Sequence, residues 1–116
     1  MMDPTTERRL LGLVGLGVRG RLAVVGVQMT RQAALGGKLR FAVVAPDASH
    51  NSLDKIVPLL EARRVRFVQG PSATVLGQAV GRESTAVVGI VDAQLARGIR
   101  ELLEAGSDRA RESGSA

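Results

Sequence analysis

The sequence predicts an α/β protein in which a four-stranded sheet lies between two layers of helices. Helical and strand patterns alternate along the chain, and five helices and four strands can be distinguished. Residues 41–45 form a continuous apolar run, which is typical of a strand covered on both faces. Glycine and proline stand at the boundaries between these patterns. Together, these observations predict a three-layer α/β/α sandwich.

The first helix is predicted from its start signal and its apolar stripe. Asp3 can cap the helix, and Pro4 occupies a position where its missing N–H has no partner to lose. The stripe at helical spacing consists of Leu10, Leu11, Val14 and Val18.

A strand–helix–strand unit follows. Residues 22–25 form a short β-branched strand that ends at Gly26. The second helix ends at residues 36–37, two glycines that accept a left-handed backbone without a Cβ clash. The second strand, residues 41–45, ends before Pro46, which has no N–H to donate to a sheet.

The second half of the chain repeats this alternation. The third helix carries an apolar face of Leu53, Ile56, Val57 and Leu60. Pro58 lies within it and is expected to kink the helix or shift its start. A third strand is predicted at residues 65–68 and a fourth helix at residues 73–80, capped by Ser72.

The chain closes with a fourth strand at residues 85–91 and a last helix capped by Asp92. The inward face of that helix consists of Leu95, Ile99, Leu102 and Leu103. Residues 105–116 contain no large apolar side chain, so we expect a disordered tail. Residues 1–104 are therefore predicted to form a single domain.

Composition argues against an enzyme. The chain has no Cys and one His, which excludes cysteine zinc sites, disulfides and thiol catalysis. No carboxylate pair, activated nucleophile or metal-ligand spacing is evident, so we expect no cofactor, no metal and no small-molecule substrate. The apolar stretch 10–18 is too short to span a bilayer and is not followed by a signal-peptide cleavage site. We therefore expect a cytoplasmic protein without membrane contact.

The placement of charge favours a polyanionic partner. The net charge is +5, with seven basic and two acidic residues in positions 1–46 and nine of each in positions 47–116. Such one-sided placement is typical of nucleic-acid binding. The only aromatic residues are Phe41 and Phe67, so bases cannot easily be stacked on an aromatic platform.

A glycine motif at residues 15–20 suggests a dinucleotide site, but its context does not fit. Residues 15–20 match the pattern G-x-G-x-x-G, which requires a preceding strand, a following helix and an acidic residue about 20 positions later. Here a helix precedes the motif and a strand follows it. Lys38 and Arg40 stand where the acid should be. A dinucleotide site is therefore rejected.

The elements and their spacing resemble the L-seven-Ae ribosomal-protein family, which binds kink-turn RNA, and in particular its small bacterial members. The stretches that carry the likeness are residues 10–13, 45–49 and 71–81, and the likeness covers roughly residues 7–104. The resemblance implies a mixed sheet in the order 1-4-2-3 with strand four antiparallel. It also implies a structured RNA partner and a role in ribonucleoprotein particles. We expect the protein to be a monomer.

The family binds RNA with Gly-x-Asn-Glu-x-x-Lys at the start of its second helix. The corresponding positions here hold Gly26, Gln28, Met29 and Gln32, so only the glycine is kept. Gln28 can still donate and accept hydrogen bonds, whereas Met29 cannot accept a base N–H and Gln32 carries no charge. In the loop before strand four, the family packs apolar groups against a flipped base. That loop is polar in this chain and begins with Arg82.

The candidate RNA-binding residues are Gly26, Gln28, Met29, Arg31, Gln32, Arg40, Asp47 and Arg82. Arg31 and Arg40 are expected on either side of the same sheet edge, in contact with phosphate. Gly26 can equally serve as a strand breaker, and Gln28 and Gln32 as solvated helix positions. For Asp47, a cap of the following turn is favoured over a catalytic acid.

Two functions remain open. One is a non-catalytic RNA-binding protein of ribosomal type whose contacts are mainly to phosphate. The alternative is a protein–protein interaction module on the same fold that has lost RNA recognition, as Met29 and Gln32 indicate.

Overall fold

Five helices alternate with four strands in the computed structural model, which describes the backbone of residues 2–115 and the side chains of residues 2–106. The elements in chain order are α1 (Pro4–Arg19), β1 (Ala23–Val25), α2 (Val27–Leu35), β2 (Phe41–Val44), α3 (His50–Ala62), β3 (Phe67–Gln69), α4 (Ala73–Ala79), β4 (Val87–Ile90) and α5 (Ala93–Ser115).

The strand order is β1-β4-β2-β3, and β4 runs antiparallel to both of its neighbours. This confirms the predicted topology. Because β1 and β2 are both antiparallel to β4, and β3 is parallel to β2, the strands β1, β2 and β3 all point the same way. We call the edge where these three strands end the carboxyl edge. We call the edge where they begin the amino edge.

Helices cover both faces of the sheet and form a separate core on each. Val43 and Val88 pack with Leu10, Leu76 and Ile99 of helices α1, α4 and α5. On the opposite face, the core consists of Ala34, Leu39, Ala42, Val44, Ile56, Leu60 and Val87, which join α2 and α3 to the sheet. All residues of β2 and β4 are buried, as expected for strands covered on both sides. The three-layer sandwich is confirmed.

The predicted helix caps are present. Side-chain oxygens of Asp3, Ser72 and Asp92 accept backbone N–H groups three residues ahead, at 2.8, 3.3 and 2.8 Å. Ser49 caps α3 in the same way through the N–H of Ser52, at 3.1 Å. Pro58 lies inside α3, which begins at His50, so the proline does not shift the start of the helix.

The last helix extends into the segment for which the sequence predicts disorder. Its backbone continues to Ser115, and Gly106 is buried against Thr6 of α1. A Cβ at Gly106 would lie 3.1 Å from Cγ2 of Thr6, so the two helices are in close contact there. Ordered packing therefore reaches residue 106. Beyond it the side chains lie outside the described residues, and the disordered tail stays a prediction.

Candidate nucleic-acid interface

The carboxyl edge gathers the starts of α2, α3 and α4 and the loop before β4. Gly26 opens α2 with a φ of 97° and a ψ of 164°, a conformation that is rare for residues with a Cβ. Its N–H donates to the carbonyl of Val87 at 2.9 Å, which fixes the start of α2 beside β4. The conformation alone therefore explains why position 26 holds glycine.

The start of α2 has unsatisfied hydrogen-bond donors. Because Gly26 has no side chain to cap the helix, no side-chain acceptor meets the N–H groups of the first turn. The positive end of the helix dipole lies at the same point. Gln28 and Met29 of this turn are both exposed. This arrangement is suited to a phosphate or another anion.

A cleft runs from this point between α2 and α3. Its volume is about 690 Å³, and it is lined by Val27, Gln28, Arg31, Gln32, Leu35, Ser52, Asp54 and Lys55. The structure therefore brings three of the predicted site residues together: Gln28, Arg31 and Gln32. The α3 side of the cleft was missed from the sequence. The charges of Asp54 and Lys55 within an amphipathic helix were the available signal.

Arg31 has a structural contact across this cleft. Its guanidinium donates to the backbone carbonyl of Lys55, and the side chain is half-buried. The bond joins the middle of α2 to the middle of α3. Arg31 therefore helps to set the width of the cleft, and its contact with phosphate stays a prediction.

Asp47 and Arg82 lie in loops of the carboxyl edge. The prediction that Asp47 caps the turn that follows it is wrong. Instead, Oδ1 accepts the N–H of Ala73 at 2.8 Å and holds the start of α4 to the end of β2. Arg82 is exposed, and its N–H donates to the carbonyl of Gly77 at 2.8 Å, which holds the loop against α4.

Arg40 lies at the other end of the sheet. It precedes β2, and its N–H donates to the carbonyl of Ile90 at 2.8 Å, at the amino edge. The prediction that Arg31 and Arg40 flank one edge is therefore wrong. Gly26 follows a strand and Arg40 precedes a parallel one, so the two residues lie at opposite ends of the sheet.

His50 is the single histidine of the chain. It begins α3, and its Nε2 lies 3.3 Å from Oδ2 of Asp54, one turn later and in solvent. Within the described residues, no three His, Asp or Glu side chains are grouped to hold a metal ion. No helix in the same part of the chain has the length and apolarity needed to cross a membrane.

No model of a known protein family matches the chain. The chain is 27% identical over 92 residues to the RNA-binding protein YlxQ of Bacillus subtilis (strain 168), which covers 79% of this chain and 92% of YlxQ. Its fold is similar to that of a protein of unknown function from Bacillus halodurans C, with a TM-score of 0.75, 23% identity, and coverage of 83% of this chain and 97% of that one. It is also similar to the Giardia lamblia 15.5kD RNA binding protein, with a TM-score of 0.74, 22% identity and coverage of 91% of each chain. The chain thus has a sequence relative named for RNA binding, and it shares its fold with a second protein named in that way.

Proposed function

We propose that this chain is a non-catalytic RNA-binding protein of ribosomal type that binds structured, kink-turn-like RNA at the carboxyl edge. The observation that carries the proposal is the uncapped start of α2, opened by Gly26 and bordered by exposed Gln28 and Met29. The names of YlxQ and of the Giardia lamblia protein support RNA as the ligand. The resemblance to the L-seven-Ae family implies that the family's RNA-binding motif corresponds to these residues.

Phosphate contacts are expected to dominate this interface. The free N–H groups at the start of α2 can donate to the oxygens of one phosphate, and Arg82 can approach another from the loop before β4. Base reading is left mainly to Gln28, whose amide can both donate and accept. Met29 offers a base amino group only its thioether sulfur, which is a weak acceptor. We therefore expect weaker base discrimination than the family motif would give.

The proposal is tested by titrating the protein against a kink-turn RNA and a straight duplex of equal length. We expect tighter binding to the kink-turn RNA. Gln28→Ala should weaken that binding roughly fivefold, because one hydrogen bond of about 1 kcal/mol is lost. Gln94→Ala, a matched change at an exposed glutamine of α5, should leave it unchanged. Equal binding of the two RNAs by the wild-type protein would reject kink-turn recognition.

A protein–protein interaction module is the second candidate, favoured by apolar exposure on α2. Met29 is 48% exposed and Leu35 is 50% exposed, and both lie on the helix that would otherwise face RNA. The two candidates differ in what accompanies the protein when it is purified without nuclease. An ultraviolet absorbance ratio typical of RNA, falling as salt rises, supports RNA binding. Protein free of RNA that purifies with a protein partner supports the second candidate.

A further inference from the structure

The amino edge of the sheet carries a concentration of positive charge. Seven of the 16 basic residues lie at the end of α1 or in the three connections that lead into β1, β2 and β3: Arg19, Arg21, Lys38, Arg40, Arg63, Arg64 and Arg66. All seven are exposed. The ion pairs among the described residues involve other side chains, so these seven cations have no acidic partner there.

Backbone hydrogen bonds hold these connections side by side. At the amino edge, the N–H of Val91 donates to the carbonyl of Leu22 at 2.9 Å, and the N–H of Arg40 donates to the carbonyl of Ile90 at 2.8 Å. Next to them, the N–H of Ala42 donates to the carbonyl of Arg66 at 3.1 Å. The cations therefore form a row across the sheet, from β1 to β3, which corresponds to three strand spacings or about 14 Å.

One part of the row surrounds a hollow. Arg40, Arg63 and Arg64 line a depression of about 410 Å³ together with Gly37 and Val65. Acidic groups near this edge are fewer than the cations, and one of them, Glu104 of α5, lines a second hollow together with Arg66. Asp92 lies in the β4–α5 connection, and its carboxylate already accepts the N–H of Leu95 at 2.8 Å. Glu61 lies in the last turn of α3, two residues before Arg63.

Two of the six arginines in this row occupy backbone conformations that favour glycine. Arg21 has a φ of 62° and Arg64 a φ of 57°, and they are the only non-glycine residues with positive φ in the described part of the chain. In this region a Cβ is strained, whereas glycine is not. Both positions would fit glycine better on conformational grounds, yet both hold an arginine on the same edge.

We propose that the amino edge is a second RNA-binding surface, which contacts the sugar–phosphate backbone of a duplex without reading its bases. The inference rests on the proposed function, which makes RNA the partner. A duplex carries a phosphate charge about every 1.7 Å along its axis, so a row of this length faces several phosphates. Arginine presents a planar donor fork that suits phosphate oxygens. The protein then binds RNA at both ends of its sheet.

A purely structural role for these cations predicts a different behaviour. Helices α1, α2 and α3 all end at the amino edge, where positive side chains stabilise the negative end of the helix dipole. If that were their role, removing them would lower the melting temperature and leave RNA affinity unchanged. The backbone at Arg21 and Arg64 allows the two roles to be separated, because glycine fits both positions.

The test compares the double variant Arg21→Gly/Arg64→Gly with Arg8→Ala/Arg9→Ala. The control removes the same charge from exposed positions about 16 Å or more away along α1. Both are titrated at several salt concentrations against a straight RNA duplex, so that the kink-turn site is not required. We expect the glycine variant to bind the duplex roughly tenfold more weakly than the wild-type protein. The slope of log affinity against log salt should fall by about two phosphate contacts. The melting temperature should be equal or higher. The control should bind like the wild-type protein.

The results also separate this inference from the proposed function. Wild-type-like duplex binding by the glycine variant, or equal losses in both variants, would overturn the inference even if kink-turn RNA is preferred. A specific loss in the glycine variant supports the amino edge even if the wild-type protein shows no kink-turn preference. Failure of the wild-type protein to bind straight RNA at low salt, with binding to anionic lipid vesicles instead, would also overturn the inference.

Discussion

Thr30 holds the only buried side-chain nitrogen or oxygen atom, within the described residues, that has no hydrogen-bond partner. It lies in α2 against β4, where Gly89 makes room for it. A Cβ at Gly89 would be 3.0 Å from Cγ2 of Thr30 and 2.8 Å from Cδ1 of Leu39. The close approach of helix and strand therefore leaves the hydroxyl buried without an acceptor.

Thr30→Val should be neutral or should stabilise the fold by up to about 1 kcal/mol, because a buried polar group without a partner is replaced by a methyl group of similar shape. Urea unfolding measures the effect. Thr85→Val is the matched control, since the hydroxyl of buried Thr85 donates to the carbonyl of Val87 at 3.1 Å. That variant should be destabilised by about 1–2 kcal/mol. Equal destabilisation of both variants would show that the Thr30 hydroxyl has a partner.

Side-chain hydrogen bonds differ in whether they can be predicted from the sequence. The caps formed by Asp3, Ser72 and Asp92 join residues three positions apart, so the local pattern is sufficient to identify them. The bond between Asp47 and Ala73 spans 26 positions, and it exists only because β2 and α4 meet at the carboxyl edge. Its absence from the prediction follows from its dependence on tertiary structure.

Among the elements, α2 is the one on which the proposed function depends. Its cleft face carries Gln32, exposed and across from Lys55. The cation that α2 itself brings to the cleft is Arg31, and its guanidinium donates to the Lys55 carbonyl. The helix can therefore be used to test how the missing family lysine affects binding.

Gln32→Lys should tighten binding to kink-turn RNA, since a charge-assisted contact contributes roughly 1.5–3 kcal/mol before the reduction caused by solvent. The gain should shrink as salt rises, and the melting temperature should stay constant because Gln and Lys have similar helix propensities. Met29→Glu should increase base discrimination more than affinity. Gln94→Lys adds the same charge at the start of α5, beside the amino edge, so it should tighten binding to kink-turn RNA and to a straight duplex alike. If Gln94→Lys and Gln32→Lys improve binding equally, the cleft face of α2 does not contact the kink.

The elements themselves could be predicted well, and their ends less well. The strand predicted at residues 85–91 is β4 (Val87–Ile90), and the one at residues 65–68 is β3 (Phe67–Gln69). Apolar periodicity locates an element, but the number of ladder hydrogen bonds depends on the length of the neighbouring strand. The predicted β3 begins two residues too early and ends one residue short, because Gln69 pairs with Val44.

For the molecule as a whole, β2 is the centre of the packing. Val43 is 0% exposed and pairs with Val68 on one side and with Val88 on the other. Side chains from the α1, α4 and α5 layer close the core around it. A charge at this position would have neither a partner nor water.

Val43→Asp should therefore abolish folding, because an unpaired carboxylate would be buried in the central strand. Circular dichroism and thermal melting test this expectation. The control is Val75→Asp, the same substitution at an exposed valine of α4, which should keep a cooperative transition. A soluble Val43→Asp variant that melts cooperatively would contradict the assignment of β2 to the core.

Two features of the whole molecule could not be derived from local sequence patterns. The antiparallel insertion of β4 between β1 and β2 was expected only from the family resemblance, since alternating helices and strands by themselves favour parallel pairing. The excess positive charge before Asp47 was interpreted as a single surface. The fold divides that segment between two ends of the sheet, and Arg40 lies with arginines from much later in the chain.

The strand order also determines how the sheet meets other proteins. The two outer strands, β1 and β3, have three residues each, whereas the inner strands have four. An outer strand exposes its unpaired N–H and C=O groups as a template for a strand from another molecule, and a short one offers few such groups. Because the longer strands lie in the middle of the sheet, few unpaired backbone groups are available for edge-to-edge polymerisation, the route by which open sheets aggregate.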